Sequence, residues 1–249
     1  MNAPARTIAH WTERVDLAAA FHWTARLNMH EAVANHFSLA VNEDGTRFLI
    51  NPNGRHFARI RASALVEIDA LDPATMARPD APDPTAWGLH AAIHRACPHA
   101  ACVMHVHSPF ATVLASLADS RLPAIDQNSA MFHNRLVVDD AYGGMAFEAE
   151  GARCASLLAD PKITTMVMGN HGVLVVGRTV AETFNRLYYL ERAAETYIRA
   201  LQTGQPLRVL PDAIAEKTAQ EWEAYPGFAT YHLAEIKALL DESGASYAT

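Results

Sequence analysis

The period of the apolar positions changes several times along the chain, and each change marks an element. Val15, Leu17, Ala18, Phe21 and Leu27 recur near helical spacing and predict a helix over residues 3–27. Phe37 to Val41 and Phe48 to Ile50 flank the turn Asn42-Glu43-Asp44-Gly45 and predict a hairpin. Asn51-Pro52-Asn53-Gly54 signals a second turn, Leu65 to Ile68 a short strand, and the proline-rich stretch 73–84 a loop. A helix over 85–97 then leads into Ala101-Cys102-Val103-Met104-His105-Val106-His107, an apolar run that reads as a buried strand. Ser108-Pro109 ends that strand and opens a helix over 110–117, with proline in its favoured early position. A short strand at 136–138, a helix over 146–158 and two strands at 164–168 and 172–176 follow. The clearest helix spans 180–201, with Thr179 and Glu182 in a capping-box pattern and Gly204 and Pro206 beyond its end. Residues 211–249 predict two more helices split at Pro226-Gly227.

These elements predict one α/β domain spanning 1–249, with a core over 11–205 and a helical tail over 206–249, since no repeat or linker divides the chain. Net charge is −7, so a broad nucleic-acid footprint is not expected. Cys97, Cys102 and Cys154 form no CxxC and no even framework, which fits buried thiols in a reducing compartment. Met1 to His10 lacks the apolar core of a signal peptide, and no run reaches the ~18 apolar residues of a membrane span, so a cytoplasmic location is expected. The unusual count is 13 histidines, in a residue type that ligates metals and carries protons.

His105 and His107 lie two apart in a strand, so both imidazoles project to one face while Val106 faces the core. The pair sits where the strand gives way to a helix. His171, in Gly169-Asn170-His171-Gly172 between two apolar strands, is the candidate third ligand. Three neutral imidazoles leave an ion its full charge and an open position, the pattern of a catalytic site. Zinc, manganese, iron and cobalt all suit the set.

The segments Leu89 to Arg95, Met104 to Thr112, Asn170 to Gly177, Ala181 to Phe184 and Leu190-Glu191 together resemble the class II aldolase/adducin family, in order and spacing, from about Leu17 to Leu201. The resemblance implies a three-layer α/β/α sandwich around a mainly antiparallel sheet. It implies a divalent ion on His105, His107 and His171, and cyclic homotetramers with active sites at subunit interfaces. His90 and His94, one helical turn apart, are then helix-packing residues rather than a second metal pair.

The departures restrict the chemistry. Sugar-phosphate aldolases of the family carry a Ser-Ser-Glu-Trp pattern whose Glu is the acid/base. Here Pro84-Thr85-Ala86-Trp87 puts a methyl at that position, and alanine moves no proton. Thr-x-Ser-Gly becomes Asn51-Pro52-Asn53-Gly54, and the glycine of Gly-Asn-x-Ser becomes Ala34, so the phosphate cradle is degraded. The tyrosine some aldolases use falls near Gln127. His133 is the candidate proton shuttle, and Arg135 a candidate partner for a substrate carboxylate. Asn35, His36, Ser38, Asn53, Gly54 and Gln127 are the remaining candidates for substrate binding. The expected activity is a metal-dependent carbon–carbon lyase, a decarboxylase or retro-aldolase, acting on a small non-phosphorylated oxo, hydroxy or aromatic acid through a metal-stabilised enolate. A non-heme iron(II) oxygenase on the same histidines and a non-catalytic module like the adducin head are the alternatives.

Overall fold

The computed structural model describes residues 8–72, 74–144 and 148–249. The first helix, α1 (Trp11–Arg26), starts later than its periodicity predicts, because His10 takes a left-handed backbone (φ 59°) ahead of Trp11. Residues 3–7 of the expected helix lie outside the described residues. The hairpin forms as β1 (His36–Ala40) and β2 (Arg47–Ile50), and β3 (Val66–Asp69) adds to its edge. Helix α2 (Pro84–Ala96) begins on a side-chain cap, Asp83 accepting from the backbone of Thr85, with Pro84 in the first turn. Then come β4 (Cys102–Val106), α3 (Pro109–Ala115), α4 (Gln127–Ala130), β5 (Leu136–Asp139) and α5 (Glu148–Leu157). Positions 146–147 of the expected fifth helix are also outside the described residues. Strands β6 (Thr165–Met168) and β7 (Gly172–Gly177) precede α6 (Val180–Gln202), α7 (Asp212–Ala224) and α8 (Phe228–Glu242).

Among the described residues the strands form one seven-stranded sheet in the order β3-β2-β1-β4-β7-β6-β5. Every pairing is antiparallel except β5 with β6. The alternation along β4 sorts the layers. Cys102, Met104 and Val106 face a core shared with Leu17 and Phe21 of α1, Leu114 of α3, Phe184 and Leu187 of α6 and Leu233 of α8. Val103 faces the opposite core, with Leu89 and Ile93 of α2, Cys154 of α5 and Leu158 just after it. Helices therefore cover both faces, giving the three-layer α/β/α sandwich. This double coverage is why β4 reads as continuous apolar sequence. All three cysteines are buried and free. Among the described residues, no helix is long and apolar enough to cross a membrane.

Candidate metal centre

His105 projects from β4 on the α2/α5 side of the sheet, opposite Val106, and His107 follows the strand's last residue. The register of β4 on β7, with Val106 opposite Val173, carries the β6–β7 turn to the same end. There Asn170 adopts a left-handed backbone (φ 57°) and presents His171. Gly172 has to be glycine. A Cβ there would stand 2.6 Å from the Val106 carbonyl oxygen and 2.8 Å from a carbon of the His107 ring.

The three rings form a nearly equilateral triangle, with centroid separations of 5.0, 4.8 and 5.0 Å. One nitrogen from each lies within 4.8 Å of the others. The surroundings decide which nitrogen faces inward. His105 Nδ1 donates to the Val173 carbonyl at 3.0 Å, and His107 Nδ1 donates to the Glu31 carboxylate at 2.7 Å. Both rings therefore turn an Nε2 lone pair into the site, and those two atoms are 3.1 Å apart. Two facing lone pairs repel unless a cation lies between them, so the donor set fits a divalent ion. The third ring has Nδ1 3.5 Å from Glu150 of α5. Burial, reinforced by the neighbouring imidazoles, pushes the His105 pKa well down. Burial lowers His107 too, partly offset by Glu31. Both directions keep the rings neutral, as ligation requires.

The trio opens on a pocket of about 250 Å³ that also takes His36, Asp83, Thr85, Tyr142 and Glu150 into its lining. Its described lining holds two carboxylates and neither lysine nor arginine. A larger hollow of about 390 Å³, beneath α7 and α8, shares no lining residue with it and contains none of the three histidines.

The other expected site residues fall into three groups. His36 joins the pocket, its ring tilted against His105 with centroids 4.9 Å apart. Asn35 and Ser38 lie behind it. Asn35 Oδ1 accepts from the Glu31 and His107 amides at 2.7 and 3.3 Å, tying the start of β1 to the end of β4, while its buried Nδ2 has no partner among the described residues. Ser38 is buried between His90 and His94 and faces no open space. Asn53 and Gly54 sit in an exposed turn after β2, outside the pocket lining. Gln127, His133 and Arg135 lie toward the tail, also outside it. Gln127 gives its carbonyl to Trp222, and Arg135 is buried and bonded to Glu216 and Glu223 of α7. Those two carboxylates take up the guanidinium expected to meet a substrate.

Several contributors carry no sequence signal of their role. Glu31, Glu150, Tyr142 and Asp83 reach the site only through the fold. Glu191 of α6 is buried and accepts from Ser108 Oγ and from the Phe110 and Ala111 amides, which anchors the segment after His107. Ala86 packs with Phe48 and Ile50 in an apolar cluster and does not line the pocket.

Known proteins resemble this chain across the same region. Residues 15–198 match the family described as Class II Aldolase and Adducin N-terminal domain. A Caulobacter vibrioides protein, whose name provisionally places it in aldolase class 2, is 32% identical over 86% of this chain and 82% of its own. Human beta-adducin is 30% identical over 67% of this chain but only 23% of its own. The crystal structure of an aldolase II superfamily protein from Pseudomonas syringae superposes with a TM-score of 0.85 at 29% identity, covering 98% of each chain. L-fuculose 1-phosphate aldolase from Glaciozyma antarctica superposes with a TM-score of 0.79 at 20% identity, over 98% of this chain and 96% of its own, and so shares the fold.

Proposed function

The chain belongs to the class II aldolase and adducin family, and from that premise we propose that it is a divalent-metal-dependent carbon–carbon lyase for a small, oxygen-rich substrate without phosphate. The observation that carries this reading is the inward pair of Nε2 lone pairs on His105 and His107, closed into a triangle by His171. A divalent ion held by these histidines would supply Lewis acidity toward a substrate carbonyl or hydroxyl oxygen.

The rest of the chemistry belongs to the chain's own side chains. The Val173 carbonyl and the Glu31 carboxylate fix the tautomers of His105 and His107. Three neutral ligands leave the ion's charge undiminished for the substrate. Glu150 and Tyr142 bring a carboxylate and a phenol into the lining. Glu150 is the group we assign to hold or move a proton, in place of the methyl at Ala86. A phosphate dianion would meet Asp83 and Glu150 with no lysine or arginine in the described lining to pair with. An α-hydroxy or α-oxo acid presents the two adjacent oxygens such a site can chelate. His133 lies outside its own pocket, and in the cyclic homotetramer that the resemblance implies it would serve a neighbouring subunit's.

The test is to purify the protein without added metal and load it with Zn, Mn, Fe or Co. Keto and hydroxy acids are then screened for carbon–carbon cleavage and carbon dioxide release, with oxygen uptake followed in parallel. Cleavage without oxygen consumption supports the lyase. Oxygen consumption coupled to substrate loss would replace it with an iron oxygenase, which the same three-imidazole set also suits. Light scattering that shows a monomer would remove the interfacial role of His133.

A further inference from the structure

Behind the three histidines runs a buried row of hydrogen-bonding side chains whose polarity is set from one end. A carbonyl oxygen only accepts, so at 2.9 Å from the Ala100 carbonyl His94 Nδ1 carries a proton. His94 is buried, and burial pulls its pKa down to about 4, so its ring holds a single proton and Nε2 is a lone pair. Ser38 Oγ, 2.7 Å away, therefore donates its one proton to His94 Nε2. With that proton committed, the hydroxyl can only accept from its other contact, His90 Nδ1. His90 is fully buried and likewise kept neutral, which leaves its Nε2 as an acceptor. His36 Nδ1, at 2.7 Å, must then donate to it. The proton of the His36 ring is thereby spent on the side facing the protein. Its Nε2 has no hydrogen-bond partner among the described residues, and the ring lines the pocket against His105.

We propose that His36 is a substrate-binding residue whose bare Nε2 is a preset hydrogen-bond acceptor for a hydroxyl of the substrate. Ser38, His90 and His94 are positioning residues that hold it in this tautomer. The preference follows from polarity. A hydroxyl can donate to the lone pair, whereas a carboxylate, a carbonyl or a phosphate dianion at that point would meet it with lone pairs of its own. The substrate class narrows to hydroxy acids or hydroxy-carbonyl compounds whose hydroxyl lies beside the chelated oxygens. This placement of the substrate rests on the metal-dependent reading above, while the tautomer does not.

Two measurements test the proposal and separate the two readings. Long-range proton–nitrogen NMR of the metal-free protein with 15N-labelled histidine reports each ring's tautomer. His36 is expected with a protonated Nδ1 and a bare Nε2, and Ser38→Ala is expected to mix the tautomers of His36 and His90. A wild-type His36 protonated at Nε2 overturns the proposal, whether or not any variant folds. The second measurement titrates cobalt-loaded protein with glycolate and with methoxyacetate, which share the carboxylate and differ in the O–H. Glycolate is expected to bind about 2- to 10-fold more tightly, the worth of one neutral hydrogen bond, and His36→Phe is expected to erase that ratio without loss of cobalt. An equal ratio in wild type and His36→Phe also overturns the proposal. Failure to take up cobalt would sink the metal-centre reading instead, and the tautomer spectrum would still decide the relay.

Discussion

Glu191→Gln probes how the segment that follows His107 is held. Glu191 lies on α6, buried at 7% exposure, and reaches across to the start of α3. Its Oε2 accepts from Ser108 Oγ at 2.7 Å and from the Ala111 amide at 2.9 Å, and its Oε1 accepts from the Phe110 amide at 2.8 Å. Hydrogen bonds to a charged group are worth about 1.5–3 kcal/mol each, and a negative charge at a helix start adds roughly 0.3–1 kcal/mol. Glutamine keeps one accepting oxygen and turns an NH₂ toward at least one of the three donors. The variant therefore loses at least one charge-assisted bond and the interaction with the helix dipole, and its remaining bonds weaken to neutral ones. The sum is about 3 kcal/mol. For a chain of this size each kcal/mol moves Tm by about 2–4 °C, so the metal-free protein should melt roughly 6–12 °C lower. Circular dichroism melting of wild type and variant side by side reads the shift directly. Because His107 immediately precedes Ser108, metal affinity should fall with it. A variant melting within about 2 °C of wild type would mean that the three contacts do not anchor this segment, and the reasoning would fail.

Four further outcomes are expected. His105→Ala should reduce bound metal from stoichiometric to background by mass spectrometry of the purified protein, and unchanged metal content would remove the site. Glu31→Ala should weaken metal binding about 10–100-fold in competition with a chelating dye, with melting little changed because the carboxylate is exposed; equal affinity would deny it a role in orienting His107. Gly172→Ala should lower both stability and metal affinity, since its methyl must displace the Val106 carbonyl and the His107 ring; a variant that melts and binds metal like wild type would contradict the close approach. Acid should destabilise the metal-free protein through its buried imidazoles. Unfolded histidine titrates near 6.5, whereas burial lowers His94 to about 4 and moves His90 in the same direction, so the unfolded state binds more protons and stability falls as pH falls from about 6.5 toward 4. His94 alone contributes on the order of 2 kcal/mol of loss by about pH 5, and urea midpoints that stay flat from about pH 7 to 5 would refute it.

Local signals in the sequence translated well into structure, and long-range polar pairings did not, for reasons particular residues make plain. Strand β4 was legible because burial on both faces selects an unbroken apolar run, and α6 because its cap and stripe occur together. Helix α4 was not, although Asp126 and Ser129 form a capping box around it, because four residues carry no period. The end of β1 was legible as strand but not as a relay. Ser38 and His36 alternate with Phe37 and Leu39 as any strand would, and only the packing of α2 decides that His90 and His94 meet them. The two-residue spacing of His105 and His107 shows that they share a face. It does not show which nitrogen each presents, since that depends on Val173 across the sheet and on Glu31 in a loop 76 positions away. Arg135 shows the same effect in reverse. In the sequence it stands as a charge in a loop, open to a substrate, and the carboxylates that occupy it come from α7, more than 80 positions further on. Ring position is set by strand periodicity, which a sequence displays, whereas ring tautomer is set by the partner of the far nitrogen, which it does not. In a site built from imidazoles, the tautomer decides whether a nitrogen binds an ion, accepts a hydroxyl or does neither, so the chemistry of this pocket had to wait for the fold.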